Sequence, residues 1–182
     1  MCRLFIITIS ILYSSLTLAK SSYQIDLILF AHPQKASASS DLDNSGLIPF
    51  SKNAIALKSG GKSSRPYNLL PPSQAGLGDE YYQLTHRSRY PVLGRYSWIQ
   101  PASNKSTVSL PLINNKGWEI QGTIRVEQSN YYTFNAELHC SPPSNPQGSF
   151  TVSQNQRLKA GTVYYLDNPQ IGMLVKVHKL KL

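Results

Sequence analysis

From Tyr23 the chain reads YQIDLILFAH, with Tyr23, Ile25, Leu27 and Leu29 on one parity and Ile28 and Phe30 making the other largely apolar. A run that is apolar at both parities predicts a strand buried on both faces, ended here by His32-Pro33. Asp26 breaks the pattern. A carboxylate inside such a strand is costly unless paired, so it predicts a basic partner or a place near an edge. The clearest hairpin is WEIQGTIRVEQSNYYTFNAELHC. Ile120, Gly122, Ile124 and Val126 alternate with Gln121, Thr123, Arg125 and Glu127; Ser129-Asn130 turns the chain, and Tyr132, Phe134, Ala136 and Leu138 alternate on the return. One packed face and one wet face mark an antiparallel sheet.

The remaining elements are shorter. RYPVLGRYSWIQ alternates in part and predicts a strand bent or bulged near Gly94. Phe150 to Leu158 predicts a further strand, and the closing stretch AGTVYYLDNPQIGMLVKVHKLKL predicts two more on either side of Asp167-Asn168-Pro169. Asp79 and Glu80 suit a helix N-terminus, where the dipole favours negative charge. With Tyr81 and Leu84 forming a short apolar face, residues 79–88 predict a helix of about two or three turns. Residues 33–78 lose all periodicity and are rich in Ser, Gly, Pro, Asn and Lys, which predicts a long irregular loop, either mobile or laid over the surface. The fold class expected is α+β: a mainly antiparallel sheet of about five to seven strands, with one short helix packed on it.

The first nineteen residues change the picture of location. Arg3, an apolar run from Leu4 to Leu12, and the small and polar residues leading to Ala19 predict a cleavable signal peptide over residues 1–19. The apolar run is too short for the roughly 20 residues of a spanning helix, and no cysteine follows it to take a lipid. Residues 20–182 then form a single exported domain, with no second stretch able to span a bilayer. Of the 18 Lys and Arg, only Arg3 leaves with the leader, against 9 Asp and Glu in all, so the exported chain is strongly basic. Such a charge suits a polyanionic envelope; it also suits nucleic acid, but export and dispersed charges argue against that partner. Cys140 alone remains after processing, which excludes an internal disulfide and predicts a small buried hydrophobe.

No active site assembles from spacing. The four histidines His32, His86, His139 and His178 are scattered, so neither a metal site nor a cofactor is expected. His139 and Cys140 are adjacent on a strand and point to opposite faces, which rules out a dyad. GGKS within the loop lacks the upstream glycine, strand and helix of a phosphate loop. What the dense segments do offer is aromatic and basic residues mixed together: Arg87, Arg89, Tyr90, Arg95, Tyr96, Trp98, Tyr131, Tyr132, Tyr164 and Tyr165. Aromatic faces stack on sugar rings, and Arg side chains bond carboxylates. Strand tyrosines are also ordinary packing residues.

Four segments, in order, resemble the CsiV family of proteobacterial peptidoglycan-binding proteins. LTHRSRYPVLGRYSWIQP carries Leu84, Tyr90, Val92, Leu93, Trp98, Gln100 and Pro101 at the family's positions, and GTIRVEQSNYYTFNAEL is similar to its hairpin. QRLKAGTVYYLDNPQIGMLVKV is similar to its closing motif, and YQIDLILF to its start. Asn168 stands where members often have histidine, and Gln156 where they often have a second arginine. The resemblance implies a non-catalytic periplasmic protein that binds peptidoglycan and supports its synthesis, beside a class A penicillin-binding protein or its lipoprotein activator. An adaptor for such a synthase, without direct glycan binding, is the alternative. The candidate ligand-binding residues are Arg95 for a peptide carboxylate, Trp98 and Tyr165 for stacking, and Asp167 for a donor group or simply for the turn. For Trp98 and Tyr165 the competing expectation is core packing. Gly172 is expected to free the backbone where the last strand begins, and Asp167 and Asn168 to bond backbone groups in the turn before it.

Overall fold

The computed structural model describes residues 21–33, 53–59, 65–143, 145 and 148–180. The expected leader over 1–19 lies outside the described residues, as does much of the loop over 33–78. Ten strands are present among the described residues: β1 (Ser22–Ala31), β2 (Ile55–Ala56), β3 (Val92–Pro101), β4 (Val108–Ser109), β5 (Ile113–Asn115), β6 (Trp118–Gln128), β7 (Tyr132–Ser141), β8 (Phe150–Leu158), β9 (Val163–Leu166) and β10 (Ile171–Leu180). Among the same residues one α-helix, α1 (Gly78–Arg87), follows a 3-10 turn at Pro72–Gln74. The class is α+β and mainly antiparallel, as the alternation predicts.

The strands form two sheets where the sequence reading expects one. Sheet A has the order β3-β1-β10-β9; sheet B runs β2-β4-β6-β7-β8, with β5 also paired to β6. The β2–β4 pair is parallel. Alternation reports which face of a strand is buried, but not which sheet buries it. The count therefore rose with the short strands β2, β4 and β5, each too brief to show a period.

Sheets A and B pack face to face. The odd residues of β1, from Tyr23 to Ala31, meet Ile171, Met173, Val175 and Val177 of β10 and the inward residues of β6, β7 and β8 in one large core. Tyr23 ties the layers by donating its hydroxyl to the Val126 carbonyl at 2.8 Å. The even residues face the other way. Ile28 and Phe30 join Leu77 and Val92 in a second core, against which Tyr81 and Leu84 of α1, Val163 and Leu174 pack. Helix, sheet A and sheet B thus make three layers, and β1 lies in the middle one. That is why YQIDLILF is apolar at both parities.

Asp26 sits on the helix side of β1 and is 1% exposed. Its Oδ1 accepts from the Gly76 amide at 2.8 Å, from Gln24 Nε2 at 2.9 Å and, in a short bond, from Ser97 Oγ. Its Oδ2 lies 3.1 Å from His178 Nε2. The basic partner expected for a buried carboxylate is therefore present, and backbone joins it. The Gly76 contact draws part of the aperiodic stretch onto the sheet. Leu57, Leu70 and Leu77 are buried. Tyr67 and Leu70 donate their amides to Ile99 and Ser97 along the free edge of β3. Residues 65–77 are thus laid over the surface and packed.

The bulge expected near Gly94 is found. Leu29 pairs with Gly94 and Phe30 with Val92, so Leu93 is the extra residue. Trp98, on the core side of β3, is fully buried. Gln100, also fully buried, donates to the carbonyls of Val126 at 3.1 Å and Asn104 at 3.0 Å. Cys140 is buried, and burial pushes its thiol up to about 12.

Candidate functional site

The four residues singled out from the sequence do not converge. Trp98 points into the core between the sheets and has no exposed surface, so its role is packing and its ring offers no face to a ligand. Arg95 lies three residues away on the same strand and so projects from the opposite face. There its guanidinium sits 4.7 Å over the Tyr81 ring and donates to the Pro72 carbonyl at 3.4 Å. It ties α1 and the segment before it to sheet A. Arg95 pairs with Ile28, Ile28 with Leu174, and Leu174 with Tyr165. Arg95 and Tyr165 thus share a face but stand three strands apart, roughly 14 Å at ordinary strand spacing, with apolar surface packed against α1 between them.

Tyr165 and Asp167 do come together. The Tyr165 hydroxyl donates to Asp167 Oδ1 at 2.5 Å, and His32 Nε2 approaches the same oxygen at 3.0 Å. Partial burial, and then the hydroxyl's donation to Asp167, pushes the Tyr165 phenol up to about 12. Asp167 is held below its ordinary range, first by the Tyr165 hydrogen bond and then, more weakly, by His32. The carboxylate is 65% exposed and remains charged at neutral pH, so it can accept from a ligand hydroxyl or amine.

Phe30 organises this group, and Gly172 permits it. Phe30 pairs with Gly172 across β1 and β10. A Cβ on Gly172 would fall among the ring atoms of Phe30, 2.5 Å from Cε2. With no side chain there, the Phe30 ring lies over β10 and stacks against Tyr165 on the far side, at 6.1 Å and 16°. Tyr90 meets Phe30 edge-on at 5.5 Å and His32 at 5.5 Å. Gly172 does not have a positive φ, a feature found in glycines only at Gly117 and Gly161 among the described residues. Its role is therefore close approach, and the expected backbone freedom is corrected. Both turn residues bond backbone: Asn168 Oδ1 accepts from the Gln170 amide at 3.2 Å, and the Asp167 carboxylate accepts from the Asn168 amide while facing the aromatic group.

The result is a row of rings on the outer face of sheet A, running from Tyr90 through Phe30 and His32 to Tyr165 and ending at Asp167. Tyr90 and Tyr165 are the exposed rings. His32 and Phe30 were outside the sequence selection because their neighbours come from β9 and β10, more than 130 residues on. A cavity of about 360 Å³ opens beside Tyr90, lined also by Leu84, Ser88, Arg89, Val92 and Lys116. No helix among the described residues is long and apolar enough to cross a membrane.

A protein-family model described as "Peptidoglycan-binding protein, CsiV" matches residues 2–180, nearly the whole chain. No curated protein matches it, and no solved structure does.

Proposed function

The chain belongs to the CsiV family of peptidoglycan-binding proteins, and on that premise we propose a non-catalytic periplasmic protein that binds peptidoglycan non-covalently and supports cell-wall synthesis. Membership over nearly the whole chain is the observation that carries this reading. The outer face of sheet A supports it. Tyr165 and Tyr90 offer half-exposed rings, the kind of surface on which sugar rings stack, and Asp167 accepts from hydroxyl or amine groups. The short distances among His32, Tyr165 and Asp167 preorganise this acceptor, so little ordering cost remains on binding. The Cys140 thiol, buried and protonated, is no nucleophile. Removal of residues 1–19 on export would deliver the domain to the periplasm. A class A penicillin-binding protein or its lipoprotein activator is the proposed protein partner.

Co-sedimentation with purified sacculi tests the reading. The expected result is pelleting of the leaderless protein at low and moderate salt, without release of soluble muropeptides. Protein left in the supernatant under both conditions would remove glycan binding and leave the adaptor. Pelleting at low salt alone would reduce the interaction to charge.

A further inference from the structure

Arg95, expected from the sequence to meet a peptide carboxylate, is engaged by Tyr81 and the Pro72 carbonyl, and a second pair of cations lies elsewhere on this face. Arg89 follows the end of α1, and Lys116 sits in the turn joining β5 to β6. Both line the cavity beside Tyr90. Neither engages a carboxylate: the ion pairs among the described residues are His32–Asp167, Arg125–Glu127 and His178–Asp26. Among the described residues no acidic side chain lines the cavity, whose apolar lining is Leu84, Pro91, Val92 and the Tyr90 ring.

Lys116 is held in place at some conformational cost. Asn115 pairs with Trp118, so Lys116 and Gly117 form a two-residue loop, and both have positive φ, 53° and 79°. Two positive values in a two-residue hairpin mark a type I′ turn, where Asn and Gly are favoured and a lysine is unusual. The turn is also fastened to sheet A, since Asn115 Nδ2 donates to the Leu93 carbonyl at 3.0 Å. A sheet-B hairpin is thereby pinned beside the start of β3, with its lysine on the same cavity as Arg89. Such strain, where surrounding contacts impose it, marks places that hold ligands.

We propose that this cavity is the subsite for the peptide portion of the ligand, with Arg89 and Lys116 binding a stem-peptide carboxylate and Tyr90 packing on its aliphatic part. The inference rests on the peptidoglycan-binding reading and refines it. A volume of about 360 Å³ suits a few residues of peptide. Two cations with no counter-charge among the described residues supply the complement of a carboxylate. Tyr90 belongs to both the cavity and the ring row, so the glycan-facing rings and the peptide subsite form one continuous surface.

The test uses the double variant R89Q/K116Q and a charge-matched control, R157Q/K159Q, on and just after β8. Binding to native sacculi is compared with binding to sacculi whose carboxylates have been amidated. The wild type is expected to lose about tenfold or more in affinity on amidation, the scale of one strong charge-assisted contact. R89Q/K116Q is expected to bind native sacculi that weakly already and to be indifferent to amidation, while the control behaves as wild type. All four side chains are exposed, so unchanged melting temperatures are expected to accompany these results. A double variant that binds native sacculi like wild type overturns the subsite. Equal losses in variant and control reduce it to net charge. Failure of the wild type to bind any sacculi overturns the underlying function instead, which separates the two failures.

Discussion

Replacing Gly172 by alanine adds one methyl group, and its cost can be worked from the packing around it. The new Cβ would stand 2.5 Å from Phe30 Cε2, with Cζ nearer still, distances that real Cβ atoms do not tolerate. The backbone itself is no obstacle, because Gly172 lies in an ordinary strand conformation. Phe30 must therefore yield, yet it is only 4% exposed and is held between Tyr165 and Tyr90. Inserting a methyl into packing of this kind costs about 1–3 kcal/mol. For a domain of this size each kcal/mol lowers the melting temperature by about 2–4 °C, so thermal unfolding should drop by roughly 2–12 °C. The discriminating assay is a double-mutant cycle with Phe30→Leu, whose shorter side chain vacates the space over Gly172. G172A should cost at least about 1 kcal/mol less in the F30L background than in wild type, a coupling typical of residues in contact. An equal cost in both backgrounds, or no cost in wild type, would refute the close-approach account of Gly172. Sacculus binding by G172A should fall as well, because the displaced ring carries Tyr165 and Tyr90 with it.

Three further predictions follow from the polar groups. Asp26→Ala should destabilise the protein by about 1–3 kcal/mol in chemical denaturation, since it leaves the buried Ser97 hydroxyl and the partly buried Gly76 amide and His178 ring without their carboxylate; a loss below about 0.5 kcal/mol would mean that these groups find other partners. Asn168→Ala should cost about 0.5–2 kcal/mol through its lost side-chain cap, whereas Asp167→Ala should change stability by less than about 0.5 kcal/mol, as exposed positions do, while lowering the Tyr165 phenol in a spectroscopic titration and weakening sacculus binding; the reverse pattern would make Asp167 the main cap of the turn. The folded-state phenols of Tyr96 and Tyr165 lie near 12, raised chiefly by burial, against about 10 in an unfolded chain. Folding therefore favours their protonated forms, so their stabilisation is complete below pH 10 and is lost as pH rises from 10 through 12. Stability measured across that range should fall, and Tyr165→Phe should flatten part of the fall.

Much of the fold was legible in residue order, because alternation reports burial directly. The β6–β7 hairpin, the β8 strand and the Gly94 bulge follow from local pattern and turn chemistry. The two-faced burial of β1 was legible too, though its cause, a middle layer between α1 and sheet B, was not. Pairing of β1 with β10 joins residues 140 or more positions apart, and nothing local encodes it. The site suffered for the same reason. Tyr165 lies in β9 and Asp167 just past its end, two residues on, and continued parity puts them on one face. Parity also puts Arg95 and Trp98 on opposite faces, which already separates them. His32 and Tyr90 reach Tyr165 only through the order β3-β1-β10-β9. Residues 65–77 were illegible because their backbone bonds, and not a hydrophobic period, hold them to β3 and Asp26.

The pairing of Ser22 with Leu180 also bears on how the protein reaches its native state. The central pair of sheet A is its earliest and its latest strand, so β1 cannot be enclosed on both sides until β10 has arrived. Every intermediate before that step exposes one side of a ten-residue, doubly apolar strand. Long-range pairing of this kind slows folding and leaves an adhesive edge open meanwhile. A chain shortened before Ile171 would lose the neighbour of both β1 and β9, and with it the seam of the sheet. Such a fragment should be captured by chaperones or aggregate, and a nonsense mutation late in the coding sequence should be as damaging as one near its middle.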